Sequence, residues 1–187
     1  ASADAVAHYN AAVKRVYDLI EAFPKPTIAQ IDGFCIGGGV ALSLSCELRI
    51  CGEGSQFAVP AAKLGLGYGF EGINRLVNVV GPAFAKEIFF TARRFDAEEA
   101  RIMGLVNRVV PDDKVGEVAF ETAQMIAANA PMTVGSVKFI VGQTVLDESA
   151  RDLDECAARV KACFDSADYI EGRRAFLEKR KANFVGA

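Results

Sequence analysis

The stretch Pro24-Lys-Pro-Thr-Ile-Ala-Gln-Ile-Asp-Gly-Phe-Cys-Ile-Gly-Gly-Gly39 decides the fold class. Pro24 and Pro26 end any helix before them, because proline lacks an N–H and pushes its predecessor out of the helical region. Thr27 to Asp32 then reads as a short strand ending at Gly33, and the glycine run leads into a helix of small residues, Val40 to Cys46. Glycines at 37, 38 and 39 permit a tight turn, and with no β-carbon above them their N–H groups are open to close approach. Two readings follow. The turn serves close packing of strand on helix, or its amides donate to an oxyanion that develops during acyl chemistry.

Working outward, residues 5 to 23 carry Val13, Val16, Tyr17, Ile20 and Phe23 at helical spacing, with Lys14, Arg15, Asp18 and Glu21 between them. Downstream, Glu47 to Cys51 reads as a second strand and Phe57 to Val59 as a very short third. From Gly72 onward helices dominate. Asp96 with Glu99 forms a capping box ahead of a helix over Ala97 to Met103, which Gly104 closes. Leu105 to Val110 is β-branched and predicts a strand before Pro111. Further helices are expected at 112–129, 133–146, 150–164 and 169–181, the last capped by Asp168 with Glu171. The class is therefore α/β, with a core over residues 1–110 and a helical region over 111–187.

Composition narrows the function. The chain of 187 residues has a net charge of −3 with acids and bases interspersed, which gives no surface for nucleic acid or membrane. Its five cysteines, at 35, 46, 51, 156 and 163, contain no C-x-x-C pair, and His8 is the sole histidine, so no metal site is expected. An odd cysteine count without a secretory pattern fits a reducing compartment, and a cytoplasmic location is expected.

Gly67-Tyr-Gly-Phe-Glu-Gly72 matches the dinucleotide pattern G-x-G-x-x-G by letter. That fingerprint requires a firm strand before it. Pro60-Ala-Ala-Lys-Leu64 is no such strand, and no bound nucleotide cofactor is expected.

The opening stretch, Ala97-Glu-Glu-Ala-Arg-Ile-Met-Gly-Leu-Val-Asn-Arg-Val-Val-Pro111 and Glu171-Gly-Arg-Arg-Ala-Phe-Leu-Glu-Lys-Arg-Lys181 together resemble the enoyl-CoA hydratase/isomerase (crotonase) family, in order and across nearly the whole chain. The resemblance implies a crotonase-like ββα spiral with a helical C-terminal trimerisation region. It also implies that the first turns of the spiral, with the loop giving a second oxyanion N–H, are absent from this chain. Gly38 matches the glycine whose N–H stabilises a thioester enolate, flanked by Gly37 and Gly39 in contact with substrate. Lys179 matches a lysine that reaches the CoA phosphate of a neighbouring subunit. The implied partners are an acyl-CoA substrate, with coenzyme A entering as part of it, and two further copies of the chain in a homotrimer or a dimer of trimers. The excess of apolar helix face over Ala150 to Phe184 agrees with that assembly.

The departures from the family pattern decide the expected chemistry. Where hydratases carry two glutamates, this chain has Ala41 and Ala61. Alanine cannot move a proton, so ordinary water addition across a 2,3-double bond cannot run from those positions. The loop Leu64-Gly-Leu-Gly-Tyr68, with Gly72-Ile73, looks most like the methylmalonyl-CoA decarboxylase branch, as do Phe164 to Gly172 and Asn183 to Gly186. That branch keeps a glutamate where Ala41 stands. Tyr68 is accordingly the candidate to orient a substrate carboxylate or deliver a proton, against a bland role as a loop tyrosine. Glu71, the one carboxylate of the loop, is the candidate acid or base of a rival hydratase or isomerase, against a role as an acid at a helix start. A third reading is a catalytically inactive binding protein on the same scaffold. Its weakness is the acidic balance and the lack of basic-aromatic clusters.

Overall fold

Helix α1 (Ala3–Glu21) begins where Ser2 Oγ accepts the Ala5 N–H at 3.3 Å and ends ahead of the two prolines. The computed structural model describes residues 2–187. After the prolines the chain builds two successive ββα turns. In the first, β1 (Ile28–Ile31) passes through Gly33 at φ 72° into β2 (Phe34–Ile36), followed by α2 (Gly38–Leu44). In the second, β3 (Leu48–Gly52) and β4 (Gln56–Ala58) precede a 3₁₀ turn, Pro60–Leu64, and then α3 (Phe70–Thr91).

Each turn gives one strand to each of two sheets. β1 pairs in parallel with β3, Ile28 opposite Leu48, and β2 pairs in parallel with β4, Phe34 opposite Gln56. Shorter strands close both sheets. β5 (Phe95–Asp96) lies antiparallel to β4, and β6 (Arg108–Val110) lies parallel to β3 beyond helix α4 (Ala97–Ile102). This is the crotonase-like spiral, and α3 breaks within it at Gly81, φ 75° and ψ 166°, before Pro82. The α4 capping box forms as its sequence predicts. Asp96 accepts the Glu99 N–H at 2.8 Å, and the Glu99 carboxylate accepts the Asp96 N–H at 3.2 Å.

The strand expected over Leu105 to Val110 is half that length. The Leu105 and Val106 N–H groups donate to Ala100 O, at 2.8 and 3.3 Å, so these two residues finish α4 before the ladder begins. Both side chains are nonetheless buried in the main cluster with Phe57, Leu76, Cys51 and Phe95. The Phe57 and Phe95 rings stack at 5.7 Å between centroids.

The chain divides into two units, one running to Phe23 and from Thr27 to Ala119, the other comprising Pro24–Pro26 and Phe120–Ala187. Helix α5 (Val115–Ala127) begins in the first and ends in the second. The second unit continues with α6 (Pro131–Thr144), α7 (Leu153–Asp165) and α8 (Ala167–Leu177). The expected capping of α8 by Asp168 and Glu171 does not occur. Ser166 takes that position, its Oγ accepting the Tyr169 N–H at 3.1 Å. Both carboxylates are drawn to the C-terminal tail instead. Buried Asp168 accepts the Val185 and Gly186 N–H groups at 2.7 and 2.9 Å, while Glu171 accepts the Asn183 N–H at 2.9 Å and pairs with Arg180. Alongside α6, α7 and α8 runs an apolar groove of about 580 Å³ lined by Met132, Ile140, Val160, Phe164 and Phe176. Cys156 and Cys163 both lie on α7, half-buried, and Cys163 lines this groove.

Candidate active site

The glycine turn takes the shape that its sequence requires. Gly37 has φ 54°, a left-handed value that costs glycine little, and its N–H donates to Ala58 O at 2.8 Å. Helix α2 begins at the next residue, and no side chain caps it. A β-carbon added at Gly37 or Gly38 would meet nothing within 4 Å, whereas one at Gly39 would meet Cys35 Sγ at 3.6 Å. The Cys35 contact is ordinary van der Waals packing, so no neighbour demands glycine at 39, and the space beside Gly37 and Gly38 is open.

Ala41 lies half-buried on α2, and Ala61 is 5% exposed within the 3₁₀ turn. Val40, Ala61 and Tyr68 belong to one hydrophobic cluster, so the glycine helix and the tyrosine loop share a floor. Tyr68 is half-buried. Its ring meets Phe89 edge-on, with centroids 4.9 Å apart, and folds back over the first turn of α3. A β-carbon at Gly72 would stand 2.7 Å from Tyr68 Cε1, so the loop's last glycine is the seat of the tyrosine ring. Burial pushes the phenol above its ordinary range, with the nearby Tyr17 adding to the effect.

Glu71 lies apart from that floor. Its side chain is 63% exposed, and its carboxylate stands 3.7 Å from Lys14 Nζ on α1. The neighbouring Arg75 pairs with Glu21, lies 3.8 Å from Asp18 and stacks over Tyr17 at 5.3 Å, so this ionic cluster ties α3 to α1. Lys179 is exposed in the second unit just past α8, at φ 53°. The segment leading into Gly67-Tyr-Gly-Phe-Glu-Gly72 is the 3₁₀ turn Pro60–Leu64.

Gly72 and Arg49 also shape this region. The Tyr68–Gly72 spacing, four residues apart at a helix start, was a legible signal that a ring could lie over a bare turn. Arg49, buried in β3, gave no such signal, since a lone arginine in a strand ordinarily faces solvent. No group of three or more histidine, cysteine, aspartate or glutamate side chains able to hold a metal ion occurs among the described residues. No single helix among them is long and apolar enough to cross a membrane.

With this geometry in hand, the sequence profile of the enoyl-CoA hydratase/isomerase family matches residues 2–187, and the chain belongs to that family. It is 38% identical to crotonyl-CoA hydratase of Syntrophomonas wolfei over 178 residues, covering 95% of this chain and 68% of that protein. It is also 32% identical to methylmalonyl-CoA decarboxylase of Escherichia coli over 181 residues, 95% of this chain and 69% of that one. A crystal structure of an enoyl-CoA hydratase/isomerase family protein from Hyphomonas neptunium superposes with a TM-score of 0.90 at 38% identity, covering all of this chain and 71% of that one. The chain spans 58% to 69% of the lengths of eight curated relatives that it matches.

Proposed function

We propose that the protein stabilises the enolate of an acyl-CoA thioester and that its reaction is loss of CO₂ from a methylmalonyl-type substrate. The observation that carries this reading is the pair Ala41 and Ala61, which by the resemblance occupy the positions of the hydratase glutamates. Ala61 is closely packed in the hydrophobic cluster. Hydration needs one group to take a proton from water and another to give one to carbon. Decarboxylation needs no base. The bond from C2 to the carboxylate breaks, its electron pair moves into the thioester as an enolate, and the enolate then takes up a proton.

In this reading the Gly38 N–H donates to the thioester oxygen, with Gly37 and Gly39 shaping the approach. Tyr68, a phenol that is neutral at neutral pH, hydrogen-bonds the departing carboxylate or supplies the proton. Similarity to the Escherichia coli decarboxylase supports this choice. Coenzyme A enters as part of the substrate, and Lys179 would meet its phosphate across a subunit boundary. The assembly would be a homotrimer or a dimer of trimers, supported by Phe164, Ile170, Phe176 and Leu177, exposed at 59%, 62%, 84% and 78%.

A second reading, hydration or isomerisation with Glu71 as acid or base, draws on the similarity to crotonyl-CoA hydratase. The exposure of Glu71 and its pairing with Lys14 weigh against it. The deciding experiment is turnover of a malonyl-type thioester by wild type and by Tyr68→Phe. Loss of one hydrogen bond to a charged group, ~1.5–3 kcal/mol, should slow the variant roughly ten- to a hundredfold. Equal rates remove Tyr68 from the reaction, and a wild-type protein inert toward all such thioesters removes decarboxylation.

A further inference from the structure

Arg49 is the second residue of β3, opposite Ala29 of β1, and is 6% exposed. Burying a guanidinium is strongly unfavourable unless its donors are met, and a position needing only to be filled would take an apolar side chain. The fork of Arg49 is met by backbone carbonyls on two sides. Its Nε donates to Leu105 O at 2.6 Å, while Nη1 donates to Cys46 O at 2.6 Å and Ser43 O at 3.3 Å. Ser43 and Cys46 mark the C-terminal end of α2, where carbonyls run out of intrahelical donors and a cation complements the helix dipole. Leu105 lies in the segment that leads from α4 into β6.

The base of the same side chain is also fixed. Asn107 Oδ1 accepts the Arg49 N–H at 2.8 Å, and the Asn107 N–H donates back to Arg49 O at 2.8 Å. A planar fork held at root and tip therefore bolts the far end of α2 to the sheet. Helix α2 is only two turns long, ~10 Å, so a grip on its last carbonyls lies close to Gly38 at its other end.

We propose that Arg49 is a positioning residue for the glycine turn, gripping α2 by its last carbonyls and so fixing the direction of the Gly38 N–H. The proposal rests on the reading of Gly38 as the donor to the enolate oxygen. Lysine cannot take its place fully, because an ammonium on a flexible stem lacks the rigid fork that reaches both sides.

The test uses Arg49→Lys and Arg49→Met in the full-length protein, with two readouts. The first is steady-state turnover of a malonyl-type thioester below the melting temperature. Arg49→Lys should lose roughly tenfold in kcat with KM within about twofold, and Arg49→Met more, since small misplacements of a reacting geometry carry penalties of order 10²-fold. The second is amide exchange at Ala41 and Leu42, which should quicken in both variants. A residue with a merely structural role would lower the melting temperature while leaving kcat and that exchange unchanged, and this outcome overturns the proposal. A fall in kcat without faster exchange overturns it as well, because Arg49 would then act by another route. Should Arg49→Met fail to fold, Arg49→Lys carries the test alone. If wild type turns over no thioester, the proposed reaction fails, and exchange at Ala41 and Leu42 still decides whether Arg49 holds α2.

Discussion

The two units of the chain use similar proportions of apolar sequence in opposite ways. In the first, Phe57, Ile50, Leu76, Leu105 and Val40 are almost wholly buried. In the second, the buried residues among those described are Thr122, Ser136, Ser166, Asp168 and Ala175, and none is a large hydrophobe. Strands and single-stripe helices turn their apolar side inward, whereas α6, with Val134, Val137, Phe139, Ile140 and Val141, is apolar on several faces. The difference teaches that the first unit closes a core around its glycine turn. The second presents apolar surface that calls for cover, which the proposed assembly would provide.

The largest effect that tests this contrast is a pair of truncations. Phe57→Ala empties a stacked position in the first core and should cost ~3–5 kcal/mol of folding stability. Phe176→Ala, at a side chain 84% exposed, should change monomer stability by no more than about 0.5 kcal/mol. Denaturant unfolding measures both, and equal costs would dissolve the comparison. The next effect concerns assembly. Wild type should scatter light as a trimer or hexamer at micromolar concentration, and Leu177→Asp should shift it toward monomer while leaving circular dichroism unchanged. A monomeric wild type would remove the proposed role of the second unit's surface.

The smallest effect lies in the C-terminal tail. The Arg180 guanidinium and the Asn183 N–H hold the Glu171 carboxyl at about 2, below the ordinary carboxylate value. A carboxylate depressed in the folded state stabilises it fully above the unfolded pKa, and that contribution fades as pH falls toward about 2. The tail should therefore loosen over this acidic window, read by limited proteolysis after Arg180 or by amide exchange at Asn183. Glu171→Gln should flatten the response, and an acid profile identical in the two proteins would remove the link.

What the sequence made legible was local. The Asp96–Glu99 box could be read because both partners lie within one turn, and Gly37 because a left-handed turn between strand and helix selects glycine. The same acidic spacing at Asp168 and Glu171 misled, since the competing donors at Arg180, Asn183, Val185 and Gly186 arrive through the returning tail. Arg49 stayed hidden for the same reason, its acceptors at Leu105 and Asn107 lying more than 50 residues away. The edge contact of the Tyr68 ring with Phe89 stayed hidden too, because Phe89 sits five turns along α3.

The central claim, that the enolate arises from loss of CO₂ and not from a glutamate pair, is met most directly by one incubation. Full-length protein is given methylmalonyl-CoA and crotonyl-CoA in parallel, and both are followed by mass spectrometry. With Ala41 and Ala61 in place, each missing acid or base removes ~10²–10⁴ in rate, so water addition to crotonyl-CoA should fall orders of magnitude below an ordinary hydratase. Methylmalonyl-CoA should lose CO₂ and leave the saturated thioester. Rapid hydration of crotonyl-CoA with no decarboxylation would contradict the account. If that hydration were then lost in Glu71→Gln, the acid and base chemistry would belong to the exposed loop carboxylate.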